Sequence, residues 1–216
     1  MGTKEARRPG RPRGTAGAAL LDIARQEFLS RGFAGTTMDA VASAAHISKA
    51  SLYRDYPSKG ELYAAVVADW VDRGRDAMKP HTDALASADD AAAQLRRMAA
   101  VLQRGVLSPP VLQMRTLVAA EAARFPTIAS DYVERSWERN LATLAGAFAS
   151  LTERGALRAD PADTAAEHFT WLVLAAPLNR LTLEGNARPY SEAELDHIAE
   201  EAVATFLARF GPPERS

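Results

Sequence analysis

The sequence predicts an all-α fold of about nine helices, with a small helix-turn-helix domain at one end of a larger helical body. Three observations predict it. Apolar residues recur at helical spacing along most of the chain. Strand-type alternation is never sustained, and β-branched residues are sparse. Glycines, prolines and capping residues punctuate the chain at helix-length intervals.

The elements follow in order. Residues 1–15, MGTKEARRPGRPRGT, are rich in Pro, Gly and Arg and carry no apolar anchor, so they read as a flexible basic arm. Leu20, Ile23, Ala24 and Phe28 then form one helical stripe that Gly32 stops. Thr37 can cap a helix over 38–44, and Ser48 another beginning at Lys49, which Pro57 and Ser58 end. Lys59 opens a long helix through Leu62, Val66, Val67 and Trp70, expected to run up to Pro80. Leu95, Met98, Leu102 and Val106 mark the next helix, and Val111, Met114 and Val118 the one after Pro109 and Pro110. Pro126 suits the first turn of a long helix carrying Trp137, Leu141, Leu144, Phe148 and Leu151, which Gly155 ends.

Asp160 and Pro161 read as a cap and a first-turn proline for a helix running toward Glu184, apolar on most sides from Phe169 to Leu183. Residues 185–189 read as a loop. Ser191 with Glu194 is a capping-box pattern opening a last helix with Leu195, Ile198, Ala202 and Phe206 on one side. The expected organisation is a flexible arm at 1–15, a small helical domain at 16–58, a larger helical body at 59–210 and a disordered tail at 211–216.

Composition removes several function classes. The chain of 216 residues has no cysteine, so disulfides, thiolate nucleophiles and cysteine-ligated metals are excluded. The four histidines show no metal-binding spacing, and Glu194 with His197 reads as a surface pair. No nucleophile–base motif or phosphate loop is present, so neither an enzyme, a cofactor nor a metal is expected. No apolar run reaches the ~18 residues of a membrane span, and the basic N-terminus lacks a signal peptide's apolar stretch. The expectation is a cytoplasmic protein with no membrane partner.

Charge is unevenly placed. Residues 1–60 hold ten Lys/Arg against five Asp/Glu, a net of +5, and the remainder sixteen against twenty-two, a net of −6. A basic end on an acidic body fits one end meeting a polyanion, although basic tails also serve as plain solubilising ends.

The segment 37–59 is the most informative. Met38, Val41, Ala42 and Ala45 can line the inner side of the first short helix, Ile47 can plug the turn, and Leu52 can pack the second helix back. Lys49, Ala50, Ser51 and Arg54 then face outward. Lys49 and Arg54 can reach phosphates or guanine edges, Ser51 can bond to either, and Ala50 can touch a thymine methyl. Tyr53 and Tyr56 each carry a hydroxyl suited to a phosphate. From periodicity alone, an ordinary helical hairpin with two half-buried tyrosines stands equally open.

The run GFAGTTMDAVASAAHISKASLYRDYPSKGELY resembles the DNA-binding region of TetR-type transcriptional regulators, over roughly residues 17–63. The resemblance implies that Thr37 holds a phosphate, that Ser48, Lys49, Ala50 and Ser51 face the major groove, and that Tyr53 and Tyr56 lie along the DNA backbone. It also implies that Lys59 reaches a phosphate and that the arm, with Arg7, Arg8, Arg11 and Arg13, follows the minor groove. One departure stands out: His46 occupies a turn position where the family usually has Gly, a place that favours a permissive backbone.

One recognition helix covers only a few base pairs, so a two-fold homodimer on a palindromic double-stranded operator is expected. The family pairs its last two long helices with those of the mate, and Trp171, Leu174, Leu178, Leu181, Ile198 and Phe206 are the candidates; packing inside one subunit is the alternative. The stretch RTLVAAEAARFPTIASDYVERSWERNL resembles the C-terminal domain of an AefR-like subgroup. That resemblance implies a cavity for a small-molecule effector, with Met98, Leu102, Met114, Leu117, Trp137, Leu141, Phe148 and Trp171 as candidate lining residues. For each, plain core packing is the competing reading. Arg115, Glu121, His168 and Asn179 are candidate polar contacts. The function expected is a ligand-responsive repressor; the alternatives are a constitutive or architectural DNA-binding protein without an effector and a helical adaptor that has lost DNA binding.

Overall fold

The structure, a computed structural model, describes residues 14–184 and 187–212. The arm with Arg11 and Arg13, and the tail from 213, lie outside the described residues. All regular elements among the described residues are helical: α1 (Gly14–Gly35), α2 (Met38–Ala44), α3 (Lys49–Asp55), α4 (Lys59–Gly74), α5 (Lys79–Ala86), α6 (Ala91–Val106), α7 (Pro109–Glu121), α8 (Pro126–Tyr132), α9 (Arg139–Glu153), α10 (Ala162–Glu184) and α11 (Glu192–Phe210). A π-helical stretch, Val133–Glu138, joins α8 to α9.

The chain forms two compact units, one of residues up to Gly74 together with Leu117–Tyr132, the other of Arg75–Thr116 together with residues from Val133 onward. The first unit is built on α1 and α4. Leu21, Ala24 and Phe28 of α1 are buried, as are Leu62, Tyr63, Val66 and Val67 of α4. Gly32 breaks α1 with φ 67°, a left-handed conformation that costs glycine little, and no neighbouring atom crowds its α-carbon. Past that break Phe33 stacks on Phe28, with ring centroids 5.9 Å apart, and meets Tyr63 edge-on at 5.4 Å. Phe125, between α7 and α8, completes the cluster at 4.9 Å from Phe33 and 5.4 Å from Tyr63. Gly60 lies so close that a β-carbon there would sit 3.4 Å from the Phe125 ring. This burial pushes the Tyr63 phenol up to about 12, with Glu121 adding to the effect.

In the second unit α6, α9, α10 and α11 enclose a phenylalanine-rich core. Phe206 packs 5.1 Å from Phe148, 5.2 Å from Phe169 and 4.9 Å from Phe210. The buried Gln103 of α6 donates from Nε2 to the Leu195 carbonyl of α11 at 2.9 Å, so a polar group inside the core has its partner. Ser191 and Glu194 form the expected capping box at the start of α11. Gly155, with φ 73°, ends the helical run after α9 as expected.

Three elements depart from the periodicity. The helix opened by Lys59 ends at Gly74, and Pro80 starts the next helix instead of stopping the previous one, because a first-turn proline lacks only an N–H that the helix does not use. The helix expected from Pro126 to Leu151 holds a π-helical stretch that carries Trp137, which apolar spacing alone does not reveal. Pro161 precedes α10 instead of occupying its first turn.

The turn between α2 and α3 explains the departure at position 46. His46 sits at φ 53°. Its N–H donates to the Ser43 carbonyl at 3.1 Å, and the Ile47 N–H donates to the Ala42 carbonyl at 3.0 Å, the paired bonds of a Schellman ending whose pivot residue is left-handed. Glycine fits this pivot best; histidine holds it at a cost. His46→Gly is therefore expected to stabilise the protein by up to about 1 kcal/mol, and Gly32→Ala to destabilise it by about 1–2 kcal/mol. Urea unfolding of the two variants beside wild type checks both signs.

Candidate functional site

The site begins with two capped helices. Thr37 accepts the Ala40 N–H at 3.1 Å and caps α2; Ser48 accepts the Ser51 N–H at 3.1 Å and caps α3. Each cap fixes where its helix starts and therefore which residues face which way. Val41, Ala42 and Leu52 are fully buried between the helices and α1. Because α3 is only seven residues long and buries Leu52 alone, the rest of its surface is left outward.

That outward surface holds Ser48, Lys49, Ala50, Tyr53 and Arg54, all exposed, with Ser51 half-buried beside them. Ser48 and Ser51 hydroxyls are 3.0 Å apart. Tyr53 stands 46% exposed, so its hydroxyl is available to a partner. Tyr56 is different: it is 7% exposed and closes α3, its N–H donating to the Leu52 carbonyl at 2.8 Å. Burial, with Asp55 and Asp69 nearby, raises its phenol above the ordinary value, so it stays a neutral hydroxyl at neutral pH.

Lys49 is ion-paired with Asp39, a residue of the first turn of α2 that sequence reasoning did not single out. Arg54 reaches the neighbouring Asp55 at 3.4 Å. Both cations of the outward edge therefore have a carboxylate at hand.

Lys59, read from the sequence as a phosphate contact, is engaged inside the molecule. Its ammonium donates to the Phe33 and Thr36 carbonyls at 2.7 Å each and lies 3.4 Å from that of Ala34. It also sits 4.5 Å above the Phe33 ring. These carbonyls belong to the end of α1 and the link beyond it, where a cation offsets the negative end of the helix dipole. Thr36 adds to this junction, its hydroxyl donating to the carbonyls of Glu27 and Gly32 at 3.0 and 2.8 Å. Only loop geometry, invisible to periodicity, could have revealed this use of Lys59.

The candidate effector residues are scattered through the helices. Met98, Leu102 and Phe148 are buried in the core of the second unit, and Trp137 and Leu141 pack partly buried against it. Met114 is fully buried, and Leu117 nearly so. The Trp137 and Trp171 rings lie 5.1 Å apart, tilted by 41°, and the Arg115 guanidinium lies 5.7 Å from the Trp137 ring. Of the candidate pairing residues, Leu174, Leu178 and Phe206 pack within the subunit, whereas Trp171 is 41% exposed. Trp171 shares an uncovered surface of α10 with Leu172, Ala175 and Ala176, beside a shallow, mostly apolar groove of about 410 Å³ lined by His168, Thr205, Arg209 and Phe210 as well.

Among the described residues no group of three or more His, Asp or Glu could hold a metal ion, and no helix is long and apolar enough to cross a membrane.

The chain resembles known proteins along most of its length. The family model for bacterial regulatory proteins of the tetR family matches residues 20–66, and that for the AefR-like transcriptional repressor, C-terminal domain, matches residues 93–212. A TetR-family transcriptional regulator of Mesorhizobium loti is similar in structure, with a TM-score of 0.85 and 30% identity over 90% of this chain and 96% of that one. The flavonoid-responsive regulator FrrA follows with a TM-score of 0.70 and 26% identity, covering 90% of this chain and 98% of its own. The DNA-binding transcriptional repressor TetR of Mycobacteroides abscessus is 29% identical over 203 residues, 92% of this chain and 85% of that protein.

The position of Lys59 yields a test. Replacing it with Met keeps the stem but leaves the carbonyls at the end of α1 without their charged donor, a loss of about 1.5–3 kcal/mol. Thermal unfolding without DNA is expected to show that loss; an unchanged melting temperature with weakened DNA binding would return the ammonium to a phosphate.

With both family models matched and a TetR-family structure 30% identical along nearly its whole length, this chain belongs to the TetR family of bacterial transcriptional regulators.

Proposed function

We propose that the protein is a ligand-responsive repressor that binds a palindromic operator as a homodimer and releases it when a small, largely apolar effector enters the helical body. The observation that carries this reading is the outward edge of α3, where Ser48, Lys49, Ala50, Ser51, Tyr53 and Arg54 stand together on a helix whose start is fixed by a cap. Lys49, Ala50 and Ser51 would enter the major groove, Arg54 would reach a base edge or phosphate, and Thr37 and Tyr53 would grip the backbone on either side. Tyr56 contributes mainly by closing α3. Arg11 and Arg13, outside the described residues, would follow the minor groove.

Pairing is proposed through the uncovered surface of α10. A helix that leaves Trp171, Leu172, Ala175 and Ala176 unburied gains by covering them, and a two-fold axis lets the same patch cover itself. For the effector, Met114, Trp137 and Leu141 are the proposed contacts, with Met98, Leu102 and Phe148 forming the wall behind. A π-helical stretch often marks a functional position, and here it carries Trp137. The responsiveness of FrrA to flavonoids supports an aromatic compound able to stack on that ring.

Release would be a population shift: an effector that favours one arrangement of the reading heads weakens DNA binding reciprocally. Repression is the sign favoured by the description of the C-terminal family model; activation would use the same DNA contacts.

A duplex selected by the wild-type protein from a random pool provides the test. Lys49→Ala and Arg54→Ala are each expected to lower discrimination between that duplex and a scrambled one by about 1–3 kcal/mol if they touch base edges. An equal loss on both duplexes would reassign them to phosphates. Leu172→Asp removes no buried group within the subunit, yet is expected to halve the mass measured by light scattering and to abolish tight operator binding. A dimer that survives the substitution would move the pairing surface elsewhere.

A further inference from the structure

The ion pair between Lys49 and Asp39 has no evident use in folding. Both side chains are well exposed, at 64% and 55%, and a pair in water stabilises a fold only weakly. Yet it lies across the reading edge, joining the first turn of α2 to the first residue of α3. Carboxylates are costly at a surface that meets phosphates, because they repel the backbone and occupy the cations that would neutralise it.

We propose that Asp39 is a specificity-determining positioning residue, which holds the Lys49 ammonium against α2 so that phosphates alone compete for it poorly. This rests on the DNA-binding reading above. On unrelated DNA the gain from a phosphate contact must first offset the loss of the Asp39 contact, and the freed carboxylate then faces the polyanion. On the operator a base-edge acceptor such as guanine O6 or N7 meets the ammonium where Asp39 holds it, and its three N–H groups serve both partners at once, so the pair is kept. The pair therefore lowers affinity for unrelated DNA more than affinity for the operator. The neighbouring charges, Arg54 and Asp55, offset one another locally and leave Asp39 as the carboxylate that acts on Lys49.

Asp39→Asn keeps the shape and removes the charge. With the selected duplex and a scrambled duplex as probes, binding is measured over a range of salt for wild type, Asp39→Asn, Lys49→Ala and the double variant. Asp39→Asn is expected to tighten binding to scrambled DNA by about two- to fivefold per protomer, the worth of an exposed ion pair. Its salt dependence should steepen by about one unit of slope per protomer, the signature of one more phosphate neutralised. Binding to the selected duplex should change less, so discrimination falls. In the Lys49→Ala background the same substitution is expected to leave the slope alone. Unchanged slope and discrimination in Asp39→Asn would overturn the proposal. So would an equal effect with and without Lys49, since Asp39 would then act by its own charge. A wild-type protein that selects no duplex at all would instead remove the DNA-binding reading on which the proposal stands. The melting temperature of each variant separates these outcomes from damage to α2.

Discussion

The reading head depends on how α1 ends. Gly32 turns the chain into a left-handed conformation, and the carbonyls exposed around that break require donors. The Thr36 hydroxyl serves Glu27 and Gly32, and the Lys59 ammonium serves Phe33 and Thr36. This junction ties the last turn of α1 to the first turn of α4, and the chain between those two points is the helix-turn-helix. The orientation of α3 is thus held from both ends, by a caged lysine after it and by a Schellman turn before it. A helix of seven residues with one buried side chain needs such outside support, because so short a helix is not stable by itself.

The same junction gathers side chains from a later part of the first unit. Phe125 and Arg124 come from the segment after α7, far along the sequence, yet both lie on Phe33, the ring that also faces Lys59. Gly60 permits the Phe125 ring its close approach. In the second unit, by contrast, the phenylalanine core around Phe206 and the buried Gln103 contact hold α6, α10 and α11 as one packed body.

Much of this was legible in the sequence, for reasons that differ by element. The starts of α2, α3 and α11 are encoded by Thr37, Ser48 and the Ser191–Glu194 pair, because capping is local chemistry. Gly32 and Gly155 are legible because few other residues reverse a chain cheaply. Features set by longer-range packing were not. Pro80 reads equally as a stop or a start, and only the following turn decides. The π-helical stretch keeps an apolar spacing that a regular helix would also show. Lys59 has the sequence of a phosphate contact, and its three carbonyls become visible only when α1 and α4 lie side by side. Asp39 escaped notice because an acidic residue in a first helical turn has an ordinary explanation in the helix dipole. The uncovered face of α10 could be read as an apolar helix, but which side stays bare depends on what the subunit itself covers.

Amide hydrogen exchange across residues 37–59 tests most directly whether α3 presents its polar edge to DNA. With a selected palindromic duplex added at one per dimer, the amides of Ser48 to Arg54 should slow strongly, while those of the buried α4 core stay as they were. Undiminished exchange in α3 under conditions where the duplex is fully bound would contradict the account, since the DNA would then be held by some other surface.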